Sequence, residues 1–534
     1  MKHRLLYIPI AFLFLLSFID CAKKGSPTGG DKDSIPPVIV RSVPENYSIN
    51  FKENEIEIYF DEYIKLKEIQ KNLIVSPPLK YPPIISPLNT SKVLKIKILD
   101  TLRENTTYSF NFGNSIVDNN EGNPFEYYKY VFSTGTYIDS LKLSGEIRDI
   151  QLLKPESPAT VLLYEVNEDY KDSLVFSEKP NYITVTTDTS STFEFTNLKE
   201  GTYLLLALKD KANNYTFQPK NDKIGFADDF ITLPTDSTYT ITLFSEIPEY
   251  TIAKPKQKGK NQITFGYEGV IDSLELQLIS EAPTSFEYKI YRDIKSDSLR
   301  YWYKPVLEKD SAIFIAKNRT KIDTLTTRLK KLYGDSLKIS DLNSSKVTIL
   351  DTLKLQANTP LIAIDTTKIN VINKDSVAVA ATGRINSKYN IAEIIFNKNE
   401  DQTYNVQLLP GTFTDFFENT NDTIDFRVRT KPNAEYGTLN LTLQNLKTLP
   451  VIVQLVDSKF NVVFEKYRTE NIPVFFSTIF PGDYYIRIIY DENKNRKWDT
   501  GNFLERKQPE RIIYYPSKIE VRSNWSLNET FILE

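Results

Sequence analysis

Histidine, methionine and cysteine are nearly absent from this chain of 534 residues, and each occurs once, at His3, Met1 and Cys21. Catalysis by Ser-His-Asp or Cys-His groups needs an imidazole that titrates near neutral pH. The usual zinc, haem and iron–sulfur sites need His or Cys ligands. With one cysteine, no disulfide can form within the chain, so each domain must be held by core burial. The composition therefore excludes these classes of catalysis, cofactor and cross-link.

Charge imbalance and phosphate-binding motifs are also missing. Lys and Arg number 66 against 69 Asp and Glu, a net charge of −3, so no basic field indicates nucleic-acid binding. Neither G-x-x-x-x-G-K-[ST] nor G-x-G-x-x-G occurs, so nothing supports nucleotide binding. Carboxylates, Lys and Tyr remain for chemistry. Because a glycan hydrolase needs only two placed carboxylates, that alternative stays open.

Aromatic residues, in contrast, are abundant. The chain has 32 Tyr and 31 Phe but only 18 Gly, which favours folded strands over a flexible low-complexity protein. Its length exceeds what one hydrophobic core supports, so several domains are expected.

The N-terminus resembles a bacterial lipoprotein signal peptide. Lys2 and Arg4 provide a positive start, and residues 5–19 form an apolar run too short for a transmembrane helix. Cys21 follows directly, with Asp20 where the usual pattern has a small residue. The resemblance implies that Cys21 becomes the first mature residue, carries lipid such as palmitate, and anchors the chain to a membrane. Residues 22–34 predict a flexible polar tether.

The first hundred residues of the body alternate polar and apolar side chains with period two. The segments "EIEIYFDEYI", "VLKIKIL" and "TTYSFNF" show this most clearly and predict a β-sandwich. Together with "IPPVIVRSVPENY", a turn at Asp118, Gly122, Asn123 and Pro124, and the closing "YVFSTG", they resemble the SbsA-type bacterial Ig-like domain. The resemblance implies a spacer or a binding module. The segment "CAKKGSPTGG" is also similar to that of lipoproteins of the Bacteroidota type that carry this domain first.

Two later segments resemble each other. "TFEFTNLKEGTYLLLALKDKANNYTF" parallels "VFFSTIFPGDYYIRIIYDENKNRKW", with a Gly nine residues before an Asp and an aromatic residue seven residues after it. This similarity predicts the duplication of one β-sandwich. Both copies resemble transthyretin-like or carboxypeptidase-regulatory-like domains.

The regions between the copies are less distinct. The pattern near "LIAIDTTKINVINKDS" is compatible with a diverged Ig-like unit, and residues 325–336 form the one plausible short helix or turn. The predicted organisation is a signal peptide (1–20), a lipidated tether (21–35), an Ig-like domain (36–136), a transthyretin-like domain (137–249), a β-rich domain of unclear type (250–345), a possible second Ig-like domain (346–432) and a second transthyretin-like domain (433–534).

One candidate metal site lies in "DENKNRKWDTGN". Asp491, Asn493, Asn495 and Asp499 offer oxygen atoms at the odd spacing of a calcium loop. However, Arg496 and Asn502 stand where an EF-hand loop has Gly and Glu, and the related "DKANNYTF" has Ala212 in place of an oxygen donor. A polar turn between strands therefore explains the segment better.

A second candidate is the aromatic run Tyr301, Trp302 and Tyr303. It would suit an exposed face that stacks on sugars or a protein partner. Since strand neighbours point to opposite faces, at least one of these side chains is expected in a core, and the core interpretation is favoured.

The sequence as a whole predicts an all-β protein of tandem β-sandwiches without catalytic residues. We expect a lipoprotein of the outer membrane, on its periplasmic or surface face, that binds an envelope protein or a polysaccharide and needs no cofactor. The alternatives are a carboxylate-dependent glycan hydrolase and a calcium-stiffened adhesive stalk.

Overall fold

A computed structural model describes residues 33–186, 190–334, 336–344 and 347–533. The predicted signal peptide and Cys21 lie outside these residues. Strands dominate the described chain, which confirms the all-β prediction. The described helices are α1 (Ile69–Asn72) and the 3-10 segments Asp172–Phe176, Thr366–Lys368 and Asn433–Glu435. None of the helices in this part of the chain is long and apolar enough to cross a membrane.

The chain divides into two compact units. The first consists of the described residues up to Lys142 with Asn181–Thr184 and Phe195–Glu200, and the remaining residues form the second.

The first sandwich has two sheets, with strand orders β1-β2-β5-β4 and β3-β6-β8, and β7 pairs with β2. Its strands are β1 (Ile39–Val43), β2 (Glu55–Leu66), β3 (Ile74–Ser76), β4 (Ile84–Ser86), β5 (Ser91–Lys97), β6 (Thr107–Asn111), β7 (Ile116–Asp118) and β8 (Lys129–Ser133). The alternating residues of β2 and β6 face a core rich in aromatic rings, where Phe51 stacks on Phe132 at 3.9 Å.

The second sandwich has the strands β9 (Leu141–Asp149), β10 (Thr160–Glu165), β11 (Tyr182–Val185), β12 (Thr192–Leu198), β13 (Gly201–Lys209), β14 (Lys223–Phe226), β15 (Ile231–Leu233) and β16 (Thr238–Leu243). In its larger sheet, β13 lies between β10 and β14 and also pairs with β15. In its other sheet, β9 and β16 run parallel.

The third sandwich has the strands β17 (Thr251–Ile252), β18 (Lys256–Gly259), β19 (Gln262–Glu268), β20 (Glu275–Leu278), β21 (Glu287–Arg292), β22 (Ser298–Lys304), β23 (Ser311–Asn318) and β24 (Lys321–Arg328). β24 pairs with β23 along its whole length. The short helix or turn expected over residues 325–336 is therefore wrong at its start, because Leu325 lies in β24, opposite Phe314.

The fourth sandwich has the strands β25 (Ile339–Asp341), β26 (Leu353–Ala357), β27 (Leu361–Ile364), β28 (Ile369–Ile372), β29 (Ala381–Asn386), β30 (Ile391–Phe396), β31 (Thr403–Leu408), β32 (Phe413–Asp415) and β33 (Ile424–Arg429). The orders β25-β26-β30-β29 and β28-β31-β33, with β27 on β32, reproduce the topology of the first sandwich. Because β25 pairs with β26, the boundary expected at residue 346 is wrong: it separates two strands of one sheet.

The fifth sandwich has the strands β34 (Gly437–Gln444), β35 (Val451–Asp457), β36 (Val462–Arg468), β37 (Val474–Ile479), β38 (Gly482–Tyr490), β39 (Ile512–Tyr514), β40 (Ile519–Val521) and β41 (Ser526–Ile532). Here β38 lies between β35 and β39 and also pairs with β40, while β34 and β41 run parallel. These pairings are the ones found in the second sandwich, and Gly482 and Gly201 begin the equivalent central strands.

The turn after β7 is built around the buried carboxylate of Asp118. It accepts hydrogen bonds from the backbone N–H groups of Asn120, Glu121 and Gly122 at 2.8, 2.8 and 3.1 Å, and from that of Asn123 at 2.7 Å. Burial alone would raise the pKa of Asp118, but these four donors favour the charged form, and the net shift is downward. Gly122 takes a left-handed conformation (φ 80°), which this turn requires.

We expect Asp118→Asn to lower the free energy of unfolding of the first sandwich by about 2 kcal/mol at neutral pH, because an amide replaces an ionised acceptor. A carboxyl with a lowered folded pKa contributes stability above its unfolded pKa of about 3.9, and this contribution is lost as the pH falls through the folded value. The deficit of the variant should therefore shrink in acid. Hydrogen exchange of peptides covering β7 and β8 measures it. Equal exchange in Asp118→Asn and the exposed control Glu126→Gln at neutral pH would contradict the expectation.

Candidate functional site

The loop after β38 closes around Asp491, whose side chain is 1% exposed. Its two carboxylate oxygens accept backbone N–H groups from Asn495 at 3.0 Å and Arg496 at 2.9 Å. Lys494 and Arg496 adopt left-handed conformations (φ 63° and 65°), which turn the backbone N–H groups towards this carboxylate. Asp491 thus organises the loop from inside.

A second carboxylate, Glu510, closes the far end of the same loop. It accepts the backbone N–H of Glu492 at 3.0 Å and that of Asp499 at 2.9 Å. The indole N–H of Trp498 donates to the Glu510 carbonyl at 3.0 Å. Burial raises the pKa of Glu510, and the charges of Asp499 and Asp491 raise it further.

The second sandwich contains the same pair of carboxylates after β13. Asp210 accepts the N–H groups of Ala212 and Tyr215 at 2.9 and 2.8 Å. Asp222 accepts those of Lys211 and Gln218 at 3.1 and 2.9 Å, and burial raises its pKa. The two loops therefore share one arrangement. An Asp accepts backbone N–H groups within the turn, and a second carboxylate accepts one N–H group from each end of the loop.

Three of the four predicted calcium ligands come together in the fifth sandwich. The Asp499 carboxylate accepts the side-chain amides of Asn493 and Asn495, the latter at 2.7 Å. Asp491 instead faces the backbone donors of the loop. Within the described residues, no group of three or more His, Cys, Asp or Glu side chains is placed to hold a metal ion. The geometry favours the polar turn.

The two loops differ in the length of the segment that leads to the second carboxylate. Gln218 precedes Asp222 by four positions, whereas Asp499 precedes Glu510 by eleven. The extra residues form an excursion, residues 500–509, which we call the finger. The finger lies on the second sandwich, more than 250 positions earlier in the chain.

Arg506 is the main anchor of the finger. Its guanidinium forms an ion pair with the Asp172 carboxylate, with Nε 3.2 Å from Oδ2. The same group lies 4.9 Å from the ring centroid of Phe503, 5.3 Å from that of Phe230 and 5.8 Å from that of Phe226. A cation held by a carboxylate and three aromatic rings is well suited to fix an interface.

Polar contacts surround this anchor. The Thr500 hydroxyl donates to the Ser245 carbonyl at 2.6 Å, and the Phe503 N–H donates to the Glu246 carboxylate. The Gln508 amide donates to the Phe226 carbonyl at 3.1 Å and to Asp228 at 2.7 Å. Burial raises the pKa of Glu246. The contact is therefore specific in its hydrogen bonds as well as its packing.

Gly501 allows the finger to approach this closely. A Cβ atom at residue 501 would lie 2.7 Å from the Phe244 ring and 2.6 Å from the Lys507 carbonyl oxygen. Phe503, fully buried, packs edge-on against Phe226 at 5.4 Å between ring centroids. Glycine is thus required here by the close approach of two sandwiches.

The predicted aromatic face is not available to a ligand. Tyr301, Trp302 and Tyr303 are 0%, 2% and 1% exposed. Tyr301 and Tyr303 lie in the core of the third sandwich, while Trp302 packs at 5.9 Å against Phe417 of the fourth. The exposed-face hypothesis is wrong, because strand alternation sends two rings into the core and the neighbouring sandwich covers the third.

Sequence reasoning missed the finger. Its one local signal is the longer interval between Asp499 and Glu510, filled by "TGNFLERKQP", in which Phe and Arg accompany a glycine. The surface that receives it gives no such signal, since Asp172, Phe226 and Phe244 are distant from one another in sequence.

The comparisons with known proteins bear mainly on the first sandwich. Residues 33–134 match the family described as the bacterial Ig-like domain. No curated protein matches the chain.

Several solved structures are similar at low identity. They include the surface layer protein SbsC, domains 1–6 (11% identity, 91% of this chain and 67% of that chain, TM-score 0.17). The Bacillus anthracis TIE protein matches at 11% identity, over 95% of this chain and 76% of that chain (TM-score 0.15). BcpA, the major pilin subunit of Bacillus cereus, matches at 12% identity, over 74% and 99% (TM-score 0.14). At such scores the likeness implies nothing about the function of this chain.

We expect Arg506→Ala to weaken the docking of the finger by about 2 kcal/mol, through loss of a charged hydrogen-bonded pair and of the ring contacts. Hydrogen exchange of peptides covering residues 499–509 and 170–176 should accelerate together. Leu504→Ala is the matched control, since Leu504 lies in the same finger and is 56% exposed. If hydrogen exchange accelerated as much in Leu504→Ala as in Arg506→Ala, Arg506 would not be the main anchor of the finger.

Proposed function

We propose that this chain is a non-catalytic lipoprotein of the cell envelope, in which tandem β-sandwiches form a structural or binding module for an envelope protein or polysaccharide. The observation that carries the proposal is the docking of the finger onto the second sandwich. Independent spacer domains would not need an arginine anchor between two sandwiches that are so far apart in sequence. Such an anchor is expected where the sandwiches must keep fixed positions relative to one another.

The use made of the buried carboxylates also supports a non-catalytic role. Asp210, Asp222, Asp491 and Glu510 all accept backbone N–H groups of their own loops. The alternative of a glycan hydrolase requires a protonated carboxyl that faces a second carboxylate across a substrate cleft. Carboxylates engaged in holding turns do not suit either role.

The N-terminal sequence supports the location. The apolar run before Cys21 and the polar residues after it suit lipidation and attachment to the outer membrane, on either its periplasmic or its surface face. The second and fifth sandwiches, in this proposal, are transthyretin-like repeats, and the third and fourth sandwiches lie between them in chain order.

Palmitate labelling of cells that express the wild type and Cys21→Ala tests the anchor. We expect label in the wild type and in the control Ser26→Ala, and none in Cys21→Ala, because the chain has no other cysteine. Protease shaving of intact cells then assigns the face of the membrane. Label retained in Cys21→Ala, or a wild type recovered wholly in the soluble fraction, would refute the lipoprotein proposal.

A calcium-stiffened stalk is the second candidate. The observation that favours it is that Asn493 and Asn495 both contact the Asp499 carboxylate, so that rotation of the two amide groups would place their oxygens beside it.

If this candidate is correct, calcium at a hundredfold excess over its Kd should stabilise the fifth sandwich by about 2.7 kcal/mol. Asp499→Asn should abolish the resulting rise in melting temperature, while the control Asp236→Asn retains it. Calorimetry with calcium and with EDTA measures the effect. Identical melting of the wild type in both solutions would remove the stalk hypothesis.

A further inference from the structure

The smaller sheet of the fifth sandwich, with strand order β37-β34-β41, has one face in the core and one face that is half-buried on β34 and exposed on β41. Leu439, Leu441 and Leu443 of β34 point into the core. By strand alternation, the intervening side chains of β34 and β41 point outward. We call this outward surface the amide face.

Three of the four outward pairs on the amide face are uncharged and polar, and the fourth places Gln444 beside Ile532, which is 58% exposed. In the parallel register, Thr438 lies beside Ser526, Asn440 beside Asn528, and Thr442 beside Thr530. The hydroxyls of the first pair are 3.1 Å apart, and the Asn440 amide donates to the Asn528 carbonyl oxygen at 3.3 Å. A quarter of the residues in the chain are charged, yet these positions carry no charge.

The second sandwich shows that the fold does not impose this composition. On its equivalent parallel pair, Glu146 lies beside Thr240, and Arg148 beside Thr242. Glu146 and Arg148 also form an ion pair. The same topology therefore accepts charged side chains at these positions, and the fold alone does not account for their absence in the fifth sandwich.

An exposed aromatic ring borders the polar pairs. Phe475 of β37 is 54% exposed and lies opposite Asn440 in the antiparallel register. Phe475, Asn440 and Asn528 thus form a row across three strands, about 10 Å wide at the usual strand spacing. The exposure of a large aromatic ring to water is unfavourable in free energy, and a ligand stacked on the ring would reduce that exposure.

The chemistry of the face selects among ligands. Amides and hydroxyls both donate and accept hydrogen bonds, and so do the hydroxyl groups of sugars. A face without charge has no electrostatic complement for nucleic acid or an acidic polymer. A protein partner would need a larger apolar patch with Trp, Tyr or Arg anchors.

We propose that the amide face binds a neutral polysaccharide, whose hydroxyls pair with Asn440 and Asn528 and whose apolar ring faces stack on Phe475. This inference rests on the proposed binding function and specifies its ligand class.

Affinity electrophoresis of the purified full chain in gels containing hydroxyethyl cellulose, xyloglucan or alginate tests this inference. We expect retardation in at least one of the two neutral polymers, and at least tenfold weaker binding by the triple variant Phe475→Ala, Asn440→Ala, Asn528→Ala. The matched control is Glu146→Ala with Thr240→Ala, the corresponding pair of the second sandwich, which should bind like the wild type. Circular dichroism checks that each variant is folded.

Absence of retardation in both neutral gels, retardation in alginate alone, or equal retardation of the triple variant would overturn the inference. So would a wild type that sediments as a dimer and a triple variant that sediments as a monomer, since the face would then bind a second copy. A chain that carries palmitate but shows none of the expected retardation leaves the proposed lipoprotein standing. A soluble, unlabelled chain that binds xyloglucan through Asn440 would refute the lipoprotein proposal and leave the polysaccharide site intact.

Discussion

The loops of this protein depend on aspartates placed at the ends of strands. Asp118, Asp210, Asp415 and Asp491 are all nearly or fully buried, and each accepts two or more backbone N–H groups of the turn that follows. A buried carboxylate is costly unless its oxygens are satisfied, so each of these turns has few alternative conformations. Since no intrachain disulfide is possible, this interaction supplies local rigidity that a cross-link would otherwise provide.

A rigid loop can also carry additions. In the fifth sandwich, Asp491 and Glu510 hold the base of the loop as Asp210 and Asp222 do in the second. The longer segment between Asp499 and Glu510 leaves that base unchanged and places Arg506 against Asp172. This difference in loop length thus falls where the backbone is already fixed. The same scaffold closes a simple turn in one copy and forms an interface in the other.

Sequence reasoning predicted the parts of this structure that have a local physical cause. Period-two alternation indicated strands such as β2 and β6, and the spacing from Gly482 to Asp491 located the polar turn that follows β38. Errors arose where the deciding contact is distant in sequence. The partner of β25 follows the predicted boundary, Leu325 joins a hairpin with β23, and Trp302 is covered by Phe417 of another sandwich. The Arg506 anchor could not be predicted, because the rings around it come from separate parts of the chain.

The contact between Arg506 and Asp172 has a mechanical consequence. The third and fourth sandwiches lie, in chain order, between the two that this contact joins. A tensile force applied across the second and fifth sandwiches is carried both by the covalent chain between them and by their direct contacts, which include the finger and the hydrogen bond from the Tyr514 hydroxyl to the Gln151 carbonyl. The direct contacts form the shorter of these two paths. The third and fourth sandwiches therefore lie within a loop of chain that these contacts close.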